Sequence, residues 1–215
     1  DRSPSRGLGD VYKRQLSASV RYEGSSKFGA NHKWGTFPAV SAGWNIAKEN
    51  FMKNTGYINN LKLRAGYGIT GTIPGNSYMS LTRLNLGGYA YYKGQWITQL
   101  KASGNSNPDL RWEKKKEFNL GLDYGLFNDR IFGSIDYYIR TTEDLIWDYK
   151  VPVPPYVSDG ITANAGSIRN SGFEFSLNAV PVQTKDFIWN SNLNFSTNKS
   201  KLVSLSNDKL SLIHI

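Results

Sequence analysis

The chain has 215 residues, a formal net charge of +9 and 39% hydrophobic content, enough for one domain or a section of a larger one. It has no cysteine, which excludes disulfide frameworks and thiolate metal sites. No apolar run approaches the ~18 residues of a transmembrane helix, which leaves a soluble protein or the wall of a β-barrel. Lys and Arg are scattered through strand-like segments, so the basic balance does not predict a nucleic-acid partner.

Residues 1–15 (DRSPSRGLGDVYKRQ) show no strand or helix period and resemble translated adapter read-through at the end of a metagenomic fragment. Residues 210–215 (LSLIHI) resemble the same artefact. Both are expected to be non-native, and residues 16–209 to be the natural portion.

Between them the apolar residues fall at every second position, the period of a strand with one greasy and one polar face. In 16–24, Leu16, Ala18, Val20 and Tyr22 oppose Ser17, Ser19 and Arg21. A polar loop over 25–35 precedes a second strand over 36–48, with Val40, Ala42, Trp44 and Ile46 on one side. Pro38 must lie near an end or bulge of that strand, because it has no N–H for the ladder. Residues 49–60 form a polar connection in which Asn50 to Lys53 suit one helical turn. The third strand, 61–69, alternates Leu61, Leu63, Ala65, Tyr67 and Ile69 with Lys62, Arg64, Gly66 and Gly68.

A connection over 70–108 follows, with aromatics at Tyr89, Tyr91, Tyr92 and Trp96. Next come two strands, 118–124 and 131–140, joined by Gly125 to Asp129 as an antiparallel hairpin. A second long loop, 141–169, holds Trp147, Tyr149 and Tyr156. Strands over 172–180 and 187–198 are joined by the turn 181–186.

The last four connections read very long, short, long, short. In an antiparallel up-and-down meander of about seven strands, every second connection lies at the same end, so the long ones share one rim. Outer-membrane barrels show this asymmetry, with an apolar outer face and a polar lumen. A soluble secreted carbohydrate-binding β-sandwich would also alternate, but has less reason to sort its loops by length. The barrel reading makes 125–129 a periplasmic turn. It sets Phe118, Leu120, Leu122, Ile135 and Ile139 toward lipid, and Asn119, Asp123 and Asp136 toward a wet lumen.

Chemistry-bearing motifs are sparse. Gly66, Gly68 and Gly71 match G-x-G-x-x-G, but that fingerprint needs a helix opening at its glycines, and Thr72-Ile73-Pro74-Gly75 follows instead. They read as small residues on a strand. Glu143, Asp144, Asp148 and Asp159 have no spacing that singles out a catalytic pair, and His32 and His214 are far apart. The sequence therefore predicts no enzyme, no cofactor and no metal.

Four blocks carry a family resemblance: LRAGYGITG from Leu63, NPDLRWE from Asn107, LGLDYGLFNDRI from Leu120 and NAGSIRNSGFE from Asn164. In this order they resemble the barrel of SusC/RagA-type TonB-dependent outer-membrane receptors. The resemblance implies a barrel of about 22 strands with an N-terminal plug. It implies import of oligosaccharides or peptides, with a SusD-like surface lipoprotein as lid and energy relayed by the TonB complex. Residues 16–209 then supply about seven strands of the wall in the cell outer membrane, in contact with its lipid, while plug, TonB box and closing strand are not represented.

Tyr89, Tyr91, Tyr92, Trp96, Trp147, Tyr149 and Tyr156 lie on the two long connections and are the candidates for ligand or lid-protein contact, since aromatic faces stack on sugar rings and peptide side chains. An interfacial girdle or packing within the loops stands as the other reading of each.

Overall fold

The structure, a computed structural model, describes residues 13–205; the expectations for 1–12 and 206–215 lie outside them. Among the described residues the strands are β1 (Arg14–Gly24), β2 (Trp34–Asn45), β3 (Ile58–Thr72), β4 (Leu84–Tyr92), β5 (Gln95–Ala102) and β6 (Glu113–Leu126). They continue as β7 (Ile131–Glu143), β8 (Ile146–Lys150), β9 (Gly160–Asn164), β10 (Ser167–Gln183) and β11 (Ile188–Ser204). Seven of them form one antiparallel sheet in the order β1-β2-β3-β6-β7-β10-β11, and β4-β5 and β8-β9 are separate two-stranded hairpins. The meander of seven wall strands stands as expected.

Three expectations are corrected. The wall strands are longer than their alternating cores, since a ladder needs only backbone partners and continues through polar ends. β1 starts at Arg14, opposite Trp44, with Gln15 opposite Gly43. β2 stops at Asn45 rather than Lys48, where a 3-10 turn over Ile46–Lys48 takes over; a second such turn, Asn50–Met52, occupies the place foreseen for a helical turn. The long connections are not irregular loops, because each contains a hairpin of its own.

Register places the apolar sets side by side. Leu63 lies opposite Leu122, Leu122 opposite Ile135, Ile135 opposite Phe175, and Phe175 opposite Phe195. The opposite face carries the polar row Arg64, Gly121, Asp136 and Glu174. Among the described residues no second sheet covers the apolar face, and Leu16, Val20, Leu193 and Phe195 are all exposed. A contiguous apolar surface of this size marks a partner or a membrane. A β-sandwich would have buried it against a second sheet.

Gly66, Gly68 and Gly71 all lie within β3, which runs on to Thr72 with no helix behind it. Pro38 lies inside β2, opposite Val20 in an unbroken β1–β2 ladder, rather than at a strand end or bulge; the pairing of β2 with β3 ends one residue away, at Ala39 and Gly68, so no bond to β3 is asked of the missing donor. Above that point the strands part, and Phe28, Phe37, Leu110 and Trp112 form the buried cluster, flanked by Ile69, Met79 and Ile146. The Trp112 ring stands 4.7 Å from Phe28 and 5.2 Å from Phe37, centroid to centroid. A Cβ at Gly71 would come within 2.7 Å of the Trp112 ring and would also strike Phe37, so glycine is needed there for close approach.

Candidate functional site at the long-connection end

The connections 25–33, 73–112 and 144–166 lie at one end of the sheet, and 46–57, 127–130 and 184–187 at the other. The buried cluster sits at the first end and draws on all three of its connections through Phe28, Leu110 and Ile146.

The first hairpin turns at Lys93 (φ 48°) and Gly94 (φ 83°). Two successive positive φ values are the type I′ geometry that matches strand twist, and Gly94 adopts it without cost. A register shift between Leu86 and Gly88 inserts one residue in β4, with Gly88 at φ 107°. The bulge changes which side chains share a face. Without it, Leu84 and Leu86 would point away from Tyr89 and Tyr91; with it, all four align with Trp96 and Leu100. Tyr89, Tyr91 and Trp96 are 72%, 64% and 71% exposed, and the rings of Tyr91 and Trp96 meet edge-on at 5.3 Å. Tyr92 is on the other face, with the Lys93 ammonium 5.3 Å from its ring centre. The four-residue aromatic candidate is therefore three plus one.

The second hairpin separates the remaining candidates. Trp147 is exposed and borders a cleft of about 330 Å³ shared with Pro74, Met79 and Asp148. Tyr149 is half-buried, its hydroxyl donates to the Ala165 carbonyl at 2.9 Å, and burial pushes its phenol pKa above the ordinary value. That contact makes Tyr149 a brace of the hairpin. Tyr156 lies in the tip, away from either strand.

Asparagines that the aromatic reading passed over fasten the two long connections to each other. Asn105 donates through Nδ2 to the carbonyls of Ser158 (2.7 Å) and Gly160 (2.9 Å). Asn107 donates to the Thr162 carbonyl at 2.9 Å, while its Oδ1 accepts the Asp109 N–H in an Asx turn. Asn164 donates to the carbonyls of Arg111 (2.7 Å) and Asp144 (2.9 Å) and accepts the Arg111 N–H at 2.8 Å. Arg111 Nη2 completes the clasp on Asp144 at 2.6 Å, and this carboxylate raises the guanidinium pKa. The blocks beginning at Asn107 and Asn164, separate in sequence, are thus one structural unit. The N-P-D turn signal was visible in the sequence; its partner was not.

On the polar face Arg64 spans three strands. Its Nε and Nη2 donate to the two oxygens of Asp123 at 2.8 and 2.7 Å, and Nη2 also reaches Asp136 at 3.0 Å. Arg140 and Glu117, directly opposite each other, pair at 2.8 Å. Half-exposed charges of both signs suit a wet lumen. Among the described residues no group of His, Cys, Asp and Glu side chains has the arrangement of a metal site.

A family model described as TonB dependent receptor-like, beta-barrel, matches residues 9–212. The chain is 41% identical over 205 residues to TonB-dependent receptor P39 of Formosa agariphila, covering 94% of this chain. It is also 41% identical over 192 residues to TonB-dependent receptor SusC of Bacteroides thetaiotaomicron, covering 87% of this chain. It spans 19% of the length of each of these curated relatives. Among solved structures, it superposes on the RagAB peptide importer in the 'closed-closed' state with a TM-score of 0.81 at 29% identity, covering 92% of this chain and 21% of that one. For the 'open-open' state the TM-score is 0.80 at 31% identity, with 90% and 21% covered. The chain belongs to the TonB-dependent receptor family, and its seven-stranded sheet is a section of that family's outer-membrane β-barrel.

Proposed function

We propose that this chain forms part of an importer of oligosaccharides or peptides that works with a SusD-like surface lipoprotein and draws energy from the TonB complex through parts of the receptor outside this chain. Its role is transport rather than catalysis. The observation that carries the reading is the exposed aromatic face of Tyr89, Tyr91 and Trp96, on the long-connection end of a sheet whose polar face carries Arg64, Asp123 and Asp136. Such rings offer flat, rigid apolar area at little entropic cost, which suits a sugar ring, a peptide side chain or a protein lid. Relatives that are TonB-dependent receptors support a receptor, and the likeness to the RagAB peptide importer supports import.

The full-length receptor carrying Tyr89→Ala, Tyr91→Ala and Trp96→Ala together tests it. Growth on a panel of oligosaccharides and peptides identifies the imported class, and calorimetry then compares the variant with the parent. Binding of substrate or of the lipoprotein is expected to weaken by about tenfold or more, since interface aromatics are worth ~2 kcal/mol or more where they act as anchors. Unchanged affinity for both overturns the assignment of this hairpin.

A further inference from the structure

Register gathers basic residues that the sequence scatters. On the apolar face, four wall strands can be followed from the edge of their continuous apolar alternation toward the long-connection end; on β11 the apolar Val203 follows the basic residues, at the register shift beside Ser204. Beyond Phe118, β6 presents Lys116 and then Lys114; beyond Ile139, β7 presents Thr141 and Glu143. Beyond Phe173, β10 presents Ser171 and Arg169; beyond Phe195, β11 presents Thr197, Lys199 and Lys201. Lys116 is neutralised by Glu143 at 2.7 Å. Arg169 has only the Thr141 hydroxyl at 3.3 Å, and Lys114, Lys199 and Lys201 have no ion pair among the described residues. Arg169 stands directly opposite Lys201, with Lys199 one step nearer the apolar band. Like charges in directly opposed positions destabilise a sheet, so the fold alone gives no reason for this arrangement. The short turns at the other end set one acid beside one base, Asp129 with Arg130 and Lys185 with Asp186.

Position identifies the counter-charge. Each outward step advances two residues, about 7 Å along the strand, or about 5 Å along the membrane normal at a tilt of ~40°. Arg169, Lys199 and Lys201 therefore lie about 10–15 Å beyond the apolar border of their strands, in the headgroup layer and outside the hydrocarbon. Phe173, Phe175, Leu193 and Phe195 lie directly below them on the same face and offer a surface to acyl chains. Strands ~4.8 Å apart put the Arg169 fork and the Lys201 ammonium within reach of one tetrahedral anion. We propose that Arg169, Lys199 and Lys201, flanked by Lys114, bind the phosphate groups of a phosphorylated outer-leaflet lipid. The inference rests on the barrel reading of the apolar face, with the long connections outside the cell.

The test uses the full-length receptor in neutral detergent, titrated with bisphosphorylated lipid A, with dephosphorylated lipid A and with inorganic phosphate, and read by native mass spectrometry and by the shift in Tm. The bisphosphorylated lipid is expected to be retained and to raise Tm, and the dephosphorylated form to do so far less. Arg169→Gln, Lys199→Gln and Lys201→Gln together should weaken that binding at least about tenfold, because each base near a lipid surface contributes about fivefold. If the triple variant does not fold, Lys201→Gln alone on β11 should show about a fivefold loss. Undiminished binding by the variants, equal retention of the dephosphorylated lipid, or equal binding of inorganic phosphate overturns the proposal. Lys115→Gln, on the polar face of β6 at the same rim, should leave lipid binding unchanged. Loss of binding there instead reverses the face assignment and overturns the barrel reading with it.

Discussion

Arg64 reaches Asp136 only because Gly121 lies between them. A Cβ at position 121 would stand 2.7 Å from Arg64 Nη2 and would also meet the Asp136 carboxylate, so any larger residue displaces the fork that joins three strands. The atoms met are the ends of flexible, partly exposed side chains, so Gly121→Leu is expected to destabilise the receptor by about 1 kcal/mol, the low end for overpacking, and Gly121→Ala by less. Urea denaturation of the refolded receptor measures both; equal stability of the two variants would show that Arg64 swings aside freely. The ion pair itself contributes little, because its partners are partly exposed and solvent screens them. The pair specifies register instead, since slipping β6 by one position would set Asp123 on the lipid side.

At the scale of elements, the two long connections act as one body. Asn164→Ala removes two hydrogen bonds that hold Arg111 to β9 and a third that holds β9 to Asp144, just past the end of β7. Each is worth about 1 kcal/mol net, so hydrogen exchange at Arg111 and across β8-β9 is expected to accelerate about tenfold or more, while the wall strands keep their protection. Equal exchange in parent and variant would show that the buried cluster alone holds these connections. The hairpin has a pH-sensitive contact as well. Asp159 accepts a hydrogen bond from Lys150 at 2.6 Å, which holds its carboxyl below the ordinary value of 3.8. A depressed carboxylate contributes stability that is present above the unfolded pKa and lost as pH falls through the folded one. Proteolysis in the 151–159 tip should therefore be independent of pH above the carboxylate range and rise below about 3.8. A Lys150→Met variant should be equally cleaved at both ends of that range.

The whole molecule is a section of wall whose solvent differs on its two faces. From Phe118 to Leu126 the outward set of β6 runs about 27 Å at ~3.4 Å per residue. At a tilt of ~40° that is about 21 Å along the normal, close to the ~25 Å apolar band of outer-membrane barrels. Aromatic residues mark both borders: Tyr67, Phe118 and Tyr137 toward the long connections, Trp44 and Trp189 toward the short turns. Arg in place of Leu122, within this band, should cost ~2–4 kcal/mol in folding into vesicles, and Arg in place of Asn119 little. Equal tolerance at the two sites would reverse the faces.

Much of this was legible in the chain. Alternation of period 2 fixes which residues share a face, because the pleat allows only two directions, and it placed Phe118, Leu122 and Ile135 together and Asn119, Asp123 and Asp136 opposite them. The order of long and short connections identified the rims, and four blocks of residues identified the family. The ends of strands were not legible, since polar residues such as Glu113 and Lys201 join a ladder through backbone groups that leave no mark in side-chain periodicity. Nor were the hairpins within the long connections: the bulge at Gly87 and Gly88 interrupts the alternation that would have revealed β4, while β8 and β9 are too short to show one. Only tertiary structure decided that Asn107 and Asn164 hold each other's segments, that Tyr149 braces while Tyr91 and Trp96 stand free, and that Arg169, Lys199 and Lys201 converge. Each of these depends on register between strands, and register is set by pairing across the sheet, which a single segment of sequence does not contain.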